Sequence, residues 1–211
     1  FVHQDGGNNN TSNSSISEVI SYDKALTVDE QNRVDSYLAI KYGITLYNTG
    51  GTATPNYLGS ASNVVWNSST NAIYNRNIFG LARADIANFA QKVSKSVNAG
   101  TILTVAKNND FVSSNSDAGR TNLSSDESYL LFGDNNDVSP TLVTPTEIGD
   151  CGELLGSETD IKLIARKWLM QRTNNVGVTY LDANLAAYAS TLNSDVFMFV
   201  ADDANFTQNV K

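Results

Sequence analysis

The chain is nearly devoid of the residues from which most catalytic and metal centres are made. Its 211 residues include one histidine, His3, and one cysteine, Cys151. No Ser-His or Cys-His pair can be assembled without His3, which sits in a terminal stretch, so nucleophilic catalysis is poorly supported. A zinc centre is nearly excluded for want of ligands. A lone cysteine also forbids an intrachain disulfide, which does not exclude export. Basic residues are scarce: 14 Lys and Arg stand against 22 Asp and Glu, a formal charge of −8. Nucleic acid and anionic lipid both require a basic face, so neither is an expected partner. No apolar run is long enough to cross a bilayer, and no membrane insertion is expected. There is no glycine-rich phosphate loop and no signal peptide at the start. Phe1-Val2-His3-Gln4 reads as the middle of a longer polypeptide, and a larger precursor is expected.

What the chain does have is Asn, Ser and Thr in abundance, and short apolar runs between polar clusters. Residues 5–15 are a polar loop. Val19 and Tyr22 sit in a short β-prone run ended by Asp23-Lys24. Thr27-Val28-Asp29-Glu30 fits a capping box, in which the threonine hydroxyl takes the amide three residues on and the glutamate reaches back. Val34, Leu38 and Tyr42 then recur at four-residue spacing, which predicts a helix from about Val28 to Tyr42 with that face buried. Gly43 supplies a left-handed stop. A lone amphipathic helix must bury its face on something larger, here a β-sheet.

After a loop at 48–56 the rhythm becomes that of strands. Candidates are Val64-Val65-Trp66, Ile78–Ala82, Thr101–Ala106, Tyr129–Phe132, Lys162–Gln171, Val176–Leu181 and Val196–Ala201. Such spacing predicts a β-sandwich. Val196-Phe197-Met198-Phe199-Val200 is apolar at every position, which predicts a central strand covered on both faces. Residues 108–127 and 134–158 are long polar connections; Ser157–Asp160 and Leu185–Leu192 are each placed as a short turn or helix. The fold class is mainly β: a β-sandwich with one N-terminal amphipathic helix packed on it.

The segment Tyr37-Leu38-Ala39-Ile40-Lys41-Tyr42-Gly43-Ile44-Thr45-Leu46 carries a resemblance. It is similar to the "YLAIKYGITL" joint after laminin-G-like (concanavalin A-like) sandwiches in large secreted surface proteins and adhesins of Bacteroidetes and marine bacteria. There, a last sandwich strand runs into a helix and a second β-rich module follows. Further on, Ile78-Phe79-Gly80-Leu81-Ala82-Arg83-Ala84-Asp85 resembles that family's "I-x-G-I-G-R-D-D", with alanines at two positions. Gln91–Ser96 resembles "Q-K-Q-S-K-S", Tyr129–Asn135 resembles "F-L-V-W-G-N-N", and Ala165-Arg166-Lys167-Trp168 resembles "x-R-x-W". The resemblance implies two parts: residues 1–46 as the tail of a laminin-G-like domain plus a linker helix, and residues 47–211 as a β-sandwich module, incomplete at its C-terminal end.

Four sets of residues could carry chemistry. Tyr57, Trp66 and Tyr74 could stack a sugar ring, with Asn67 and Asn71 bonding its hydroxyls; the same rings would equally make a core. Asp134, Asn135 and Asp137, and likewise Asp202, Asp203 and Asn205, gather oxygens within one turn, as calcium requires; Asx-turns that merely end strands account for them too. Glu127, Glu153 and Glu158 lie in the polar connections, where a glycosidase pair would have to be found, but no catalytic pattern surrounds them. Arg166, with Arg83 as a second candidate, is expected to pair with Asp85 or another acid inside the sandwich, and Trp168 is expected in the core.

The sequence therefore reads as a non-enzymatic module at the bacterial cell surface, for adhesion or structural spacing. Calcium is a possible cofactor. The expected partners are other domains of the same polypeptide, a cell-surface glycan or a neighbouring subunit. An accessory module of a secreted polysaccharide-degrading enzyme is the main rival. A filament subunit completed by a donated strand beside Val196–Ala201 is the third.

Overall fold

The structure, a computed structural model, describes residues 15–47, 54–137, 142–143, 163–188, 196–204, 206 and 208–211. It is mainly β, with one α-helix among the described residues, N-terminal and packed on the strands. The helix, α1, spans Val28–Tyr42, and both halves of the capping box are formed. The Glu30 amide donates to the Thr27 hydroxyl at 3.3 Å, and the Glu30 carboxylate accepts from the Thr27 amide at 2.8 Å. Gly43 ends the helix at φ 63° and ψ 34°.

The strands are β1 (Tyr57–Leu58), β2 (Val64–Trp66), β3 (Arg76–Ala84), β4 (Phe89–Gln91), β5 (Val93–Ser94), β6 (Leu103–Ala106), β7 (Ser128–Asp134), β8 (Leu142–Val143), β9 (Leu163–Ile164), β10 (Trp168–Thr173) and β11 (Tyr180–Ala183). The main sheet runs β10-β7-β3-β4, a second runs β11-β6-β5, and β1-β2 and β8-β9 form two small pairs. All pairings among the described residues are antiparallel.

Strands alternate side chains between faces, and here both faces of the main sheet are covered. Ile78, Ala82 and Ala84 of β3 and Tyr129 and Leu131 of β7 point to one face. There they meet Ala39 and Ile40 of α1 with Tyr57, Val65 and Trp66 of β1-β2. Phe79 and Leu81, with Leu130 and Phe132, point to the other, against Ile102, Leu103, Val105, Leu123 and Val176. Phe79 and Phe132 stack with centroids 5.5 Å apart.

Several sequence expectations are corrected. No strand forms at 19–22; residues 15–27 are a strap that pairs with no strand among the described residues. The helix buries Ser36, Ala39 and Ile40, while Val34, Leu38 and Tyr42 are half-buried on its flank. The reason is close approach: the Ser36 hydroxyl accepts from the Leu58 amide at 2.9 Å, so small residues face β1. As expected, the helix docks on the strands that follow it: Ala39 and Ile40 pack with Trp66 and Tyr129. The run 162–171 is broken into β9 and β10, and the run 176–181 shifts to β11 after Gly177 at φ 68°.

The largest correction concerns 196–201. No strand forms there, and Val196, Phe197, Met198 and Val200 are exposed. The fully covered central strands are β3 and β7 instead. Val200 exchanges two backbone hydrogen bonds with Lys211, and Asp202 donates one to Gln208, so residues 200–211 close on themselves. Among the described residues, 196–201 thus belong to no sheet, and the expected open position beside them is not formed. Residues 5–14, 144–162 and 189–195, with the expectations that fall on them, lie outside the described residues; Ala186–Tyr188 does form a short 3-10 turn.

Two measurements check the helix. Ile40→Ala should destabilise by about 2–5 kcal/mol in chemical denaturation, and the half-buried Leu38→Ala should cost clearly less; the reverse order would refute the assigned face. Hydrogen bonds from Lys24 and from the Thr27 cap hold the Glu30 carboxyl down at about 2, against an ordinary 4.5. A carboxylate depressed in the folded state contributes fully above its unfolded value and loses that contribution as pH falls through its folded value. The cap's contribution should thus fade between about pH 4.5 and about pH 2. Glu30→Gln should flatten this limb of the melting-temperature curve; an unchanged limb would show that the cap carries no pH-dependent stability.

Candidate functional site

The site to test first is the proposed aromatic platform, and it is not a surface. Tyr57 and Trp66 are fully buried and Tyr74 is 8% exposed. Trp66 donates its indole N–H to Asn75 Oδ1 at 2.8 Å. The Tyr57 hydroxyl donates to the Ile44 carbonyl at 3.2 Å and accepts from the Leu46 amide at 2.9 Å. Burial pushes the Tyr57 phenol well above its usual range and raises that of Tyr74 as well. Asn67 accepts from the amides of Ser69 and Thr70, and Asn71 donates to Gln171 at 2.7 Å. The five residues do sit together, but as core and turn formers; their rings offer no open face to a sugar.

The expected calcium residues fare similarly. Asp134 closes β7 and is 1% exposed. Its carboxylate accepts both contacts of the Asn77 amide at 2.9 Å, and Oδ1 also accepts from the Asn136 amide at 2.8 Å. Arg166 Nη1 lies 3.6 Å from Oδ2. A carboxylate already surrounded by donors and a guanidinium does not gather further cations. Asn135 Oδ1 accepts from the Asp137 and Lys167 amides. Asp203 accepts from the Gln208 amide at 2.7 Å and Asp202 from Asn209 at 2.6 Å. Asn205, like Cys151, Glu153 and Glu158, lies outside the described residues. Among the described residues, no group of three or more His, Cys, Asp or Glu is placed to hold a metal.

What sequence reasoning missed is that these residues form a buried polar node. Asn77 sits at φ 51°, where the β3–β7 register slips between Arg76 and Phe79. The slip is a bulge, and bulges re-aim side chains; this one turns Asn77 onto Asp134. Asn98 in turn donates to Asn77 Oδ1 at 2.7 Å. Arg166 donates to the Asp137 and Gly100 carbonyls, each at 2.7 Å. The node thus ties four chain segments together. The expected partner of Arg166 is resolved as Asp134, and Arg83 pairs with Asp85 at 2.8 Å, which lowers the Asp85 carboxyl. The signal for Asn77 was an asparagine heading an apolar β run, a residue type that tolerates positive φ. Trp168 is half-buried against the second core.

A second constellation lies at the strap. Glu18 accepts from Lys41 Nζ at 2.9 Å and from the hydroxyls of Tyr42 at 3.0 Å and Tyr37 at 3.2 Å. The Lys41 hydrogen bond leads in lowering the Glu18 carboxyl. The Lys41 ammonium is pushed up, first by its hydrogen bond to the Tyr37 hydroxyl and then by Glu18. Lys41 also lies 4.9 Å from the Tyr37 ring centroid. Between strap and helix runs a groove of about 510 Å³, lined among others by Ile20, Leu26, Val34, Leu58 and Phe89. At one side of it Ser60 donates its hydroxyl to Glu127, while its amide donates to Tyr129. Glu127 therefore holds a loop to β7; no second carboxylate faces it in these contacts.

Removing one partner of a buried charge pair leaves the other uncompensated, at a cost of about 3–5 kcal/mol. Arg166→Met should therefore destabilise by that order in denaturant titration, and the double change Arg166→Met with Asp134→Leu should recover much of it. A single variant as stable as the parent would show that the node bears no load. Calcium and chelator should leave the melting temperature of the parent unchanged.

A family model described as Domain of unknown function (DUF8202) matches residues 30–211. The match takes in all but the first two residues of α1. No curated protein and no solved structure matches the chain. With most of its length covered by that model, the chain belongs to the DUF8202 family.

Proposed function

We propose that the chain is a non-catalytic structural module of a large secreted bacterial surface protein, which holds neighbouring parts of that protein at a fixed spacing. One observation carries this reading: along most of its length the segment Tyr37–Leu46 joins helix to sheet. Tyr37 packs edge-on to Phe89 with centroids 4.8 Å apart. Ala39 and Ile40 enter the core. The Lys41 carbonyl accepts from Gln91 at 3.2 Å. The Gly43 carbonyl accepts from the Val97 amide at 3.0 Å and from the Ser96 hydroxyl at 3.4 Å. A side chain at Gly43 would press into the Lys95 carbonyl, and its φ of 63° disfavours one in any case. The Thr45 hydroxyl accepts from the Ile78 amide at 3.0 Å, and Tyr57 closes the joint at Ile44 and Leu46.

A joint of this kind transmits position, which is what a spacer needs. The surface location rests on the resemblance of this same segment to the joint of secreted surface proteins. Glycan adhesion loses its proposed platform to the core, so spacing is the preferred role.

The test places the chain between two reporter domains and measures the distance between them by pulsed electron paramagnetic resonance. The expected result is a narrow distribution that broadens on Gly43→Val. A broad distribution in the parent would overturn the spacer reading. Turnover of a polysaccharide, lost on Glu127→Gln, would put the accessory-enzyme reading in its place.

A further inference from the structure

The strap and the body are joined in a different way from helix and sheet. Among the described residues, no backbone–backbone hydrogen bond ties residues 15–26 to the rest. The strap is held by side chains, chiefly the Glu18 carboxylate on Tyr37, Lys41 and Tyr42, and Lys24 on Glu30 at 2.8 Å. It does not bury itself: Ile16, Val19 and Tyr22 are 63%, 77% and 47% exposed. The groove beneath it stays open at about 510 Å³. The receiving residues Tyr37, Lys41 and Tyr42 belong to the family-matched region, whereas Glu18 precedes its first residue, 30.

We propose that the Tyr37–Lys41–Tyr42 face is an exchangeable docking site for a carboxylate-bearing extended segment, and that its second occupant is the Glu18 strap of another copy of this chain. The geometry favours this occupant over an unrelated one. Each copy carries one acidic key and one site with a matching cation and two phenol donors, so two copies satisfy each other's sites reciprocally, as a closed two-fold exchange requires. Exchange sacrifices only side-chain contacts that re-form identically in the partner, since no strand pairing has to be broken. Val19, Ile20 and Tyr22, exposed on a lone strap, gain the possibility of burial between two bodies, which favours association. This goes beyond the spacer reading, which concerns one chain, and adds a contact between chains.

A charge exchange tests it directly. In Glu18→Lys the strap faces Lys41 with like charge, and in Lys41→Glu the site faces Glu18 with like charge, so neither variant can close its own strap. Mixed, the lysine strap of the first fits the glutamate site of the second, and the Glu18 strap of the second fits the Lys41 site of the first. Analytical ultracentrifugation should show a heterodimer at least about tenfold tighter than self-association of either variant, a gain of about 1.4 kcal/mol. The chain carrying both changes restores the pair within one copy and controls for folding. A mixture that stays monomeric while that control folds like the parent would overturn the proposal. A second measurement needs no charge reversal. On a Cys151→Ser background, Glu18→Cys and Tyr42→Cys are placed on separate chains, mixed and oxidised. The expected product is the disulfide-linked pair of unlike chains; its absence under conditions that link the same two cysteines within one chain would count equally against exchange.

Discussion

Everything in this fold hangs on the pairing of β3 with β7. Both strands are apolar on both faces, so neither can tolerate water on either side, and two separate layers must cover them. Each large side chain taken from water contributes on the order of 1.5–3 kcal/mol. Phe79, Leu81, Leu130, Leu131 and Phe132 are all within 4% of complete burial. The helix with β1-β2 supplies one cover, and β6 with Ile102, Leu123 and Val176 the other. A helix-only or sheet-only cap would leave one face wet. That is why the one α-helix among the described residues is needed as a cover.

The polar interior follows from the same constraint. β7 cannot end in solvent while its last residues remain under both covers, so Asp134 ends inside. A buried carboxylate without partners is expensive. Asn77 at the bulge and Arg166 from the connection before β10 supply the donors, and Arg166 satisfies itself further on the Asp137 and Gly100 carbonyls. Such a node contributes little net stability compared with an apolar replacement. Its effect is to fix which loops meet at the end of the sheet. Arg120 does the same elsewhere: 5% exposed, it donates to the Ser113 and Ser114 carbonyls and organises the polar stretch that separates β6 from β7.

The sequence made some of this legible and concealed the rest, for identifiable reasons. The Val28–Tyr42 helix, its capping box and its Gly43 stop were readable because each depends on residues within four positions of one another. Ile78–Ala82 and Tyr129–Phe132 were readable as strands for the same local reason. Which apolar run becomes central is not local. Val196–Val200 has the stronger apolar pattern, yet β3 and β7 take the centre, since their partners lie on both flanks. The helix face was misjudged because periodicity rewards large side chains, whereas Ser36 and Ala39 are buried for being small. The Trp66 cluster could not be told from a binding platform by composition, for a core and a sugar platform use the same rings. The Asp134 node needed residues 77, 98, 134 and 166, whose meeting no spacing announces.

Two kinds of joint therefore meet at α1, and their physics differs. Its C-terminal end is fixed to the sheet by burial, a left-handed glycine and backbone hydrogen bonds, none of which salt screens. Its outer flank holds the strap by charge-assisted bonds at half-exposed Glu18 and Lys41, where side-chain accessibilities are 22% and 34%. Exposed ion pairs of this kind contribute about 0–1 kcal/mol and weaken as ionic strength rises. The strap contributes no side chain to either apolar cluster, so it can leave without removing a core residue. At Thr27 side-chain attachment gives way to a capped helix. The family match, beginning at residue 30, starts within a turn of the same place. Lys41 receives a carboxylate from before that point, so the strap is held by contacts that salt screens and the helix by contacts that it does not.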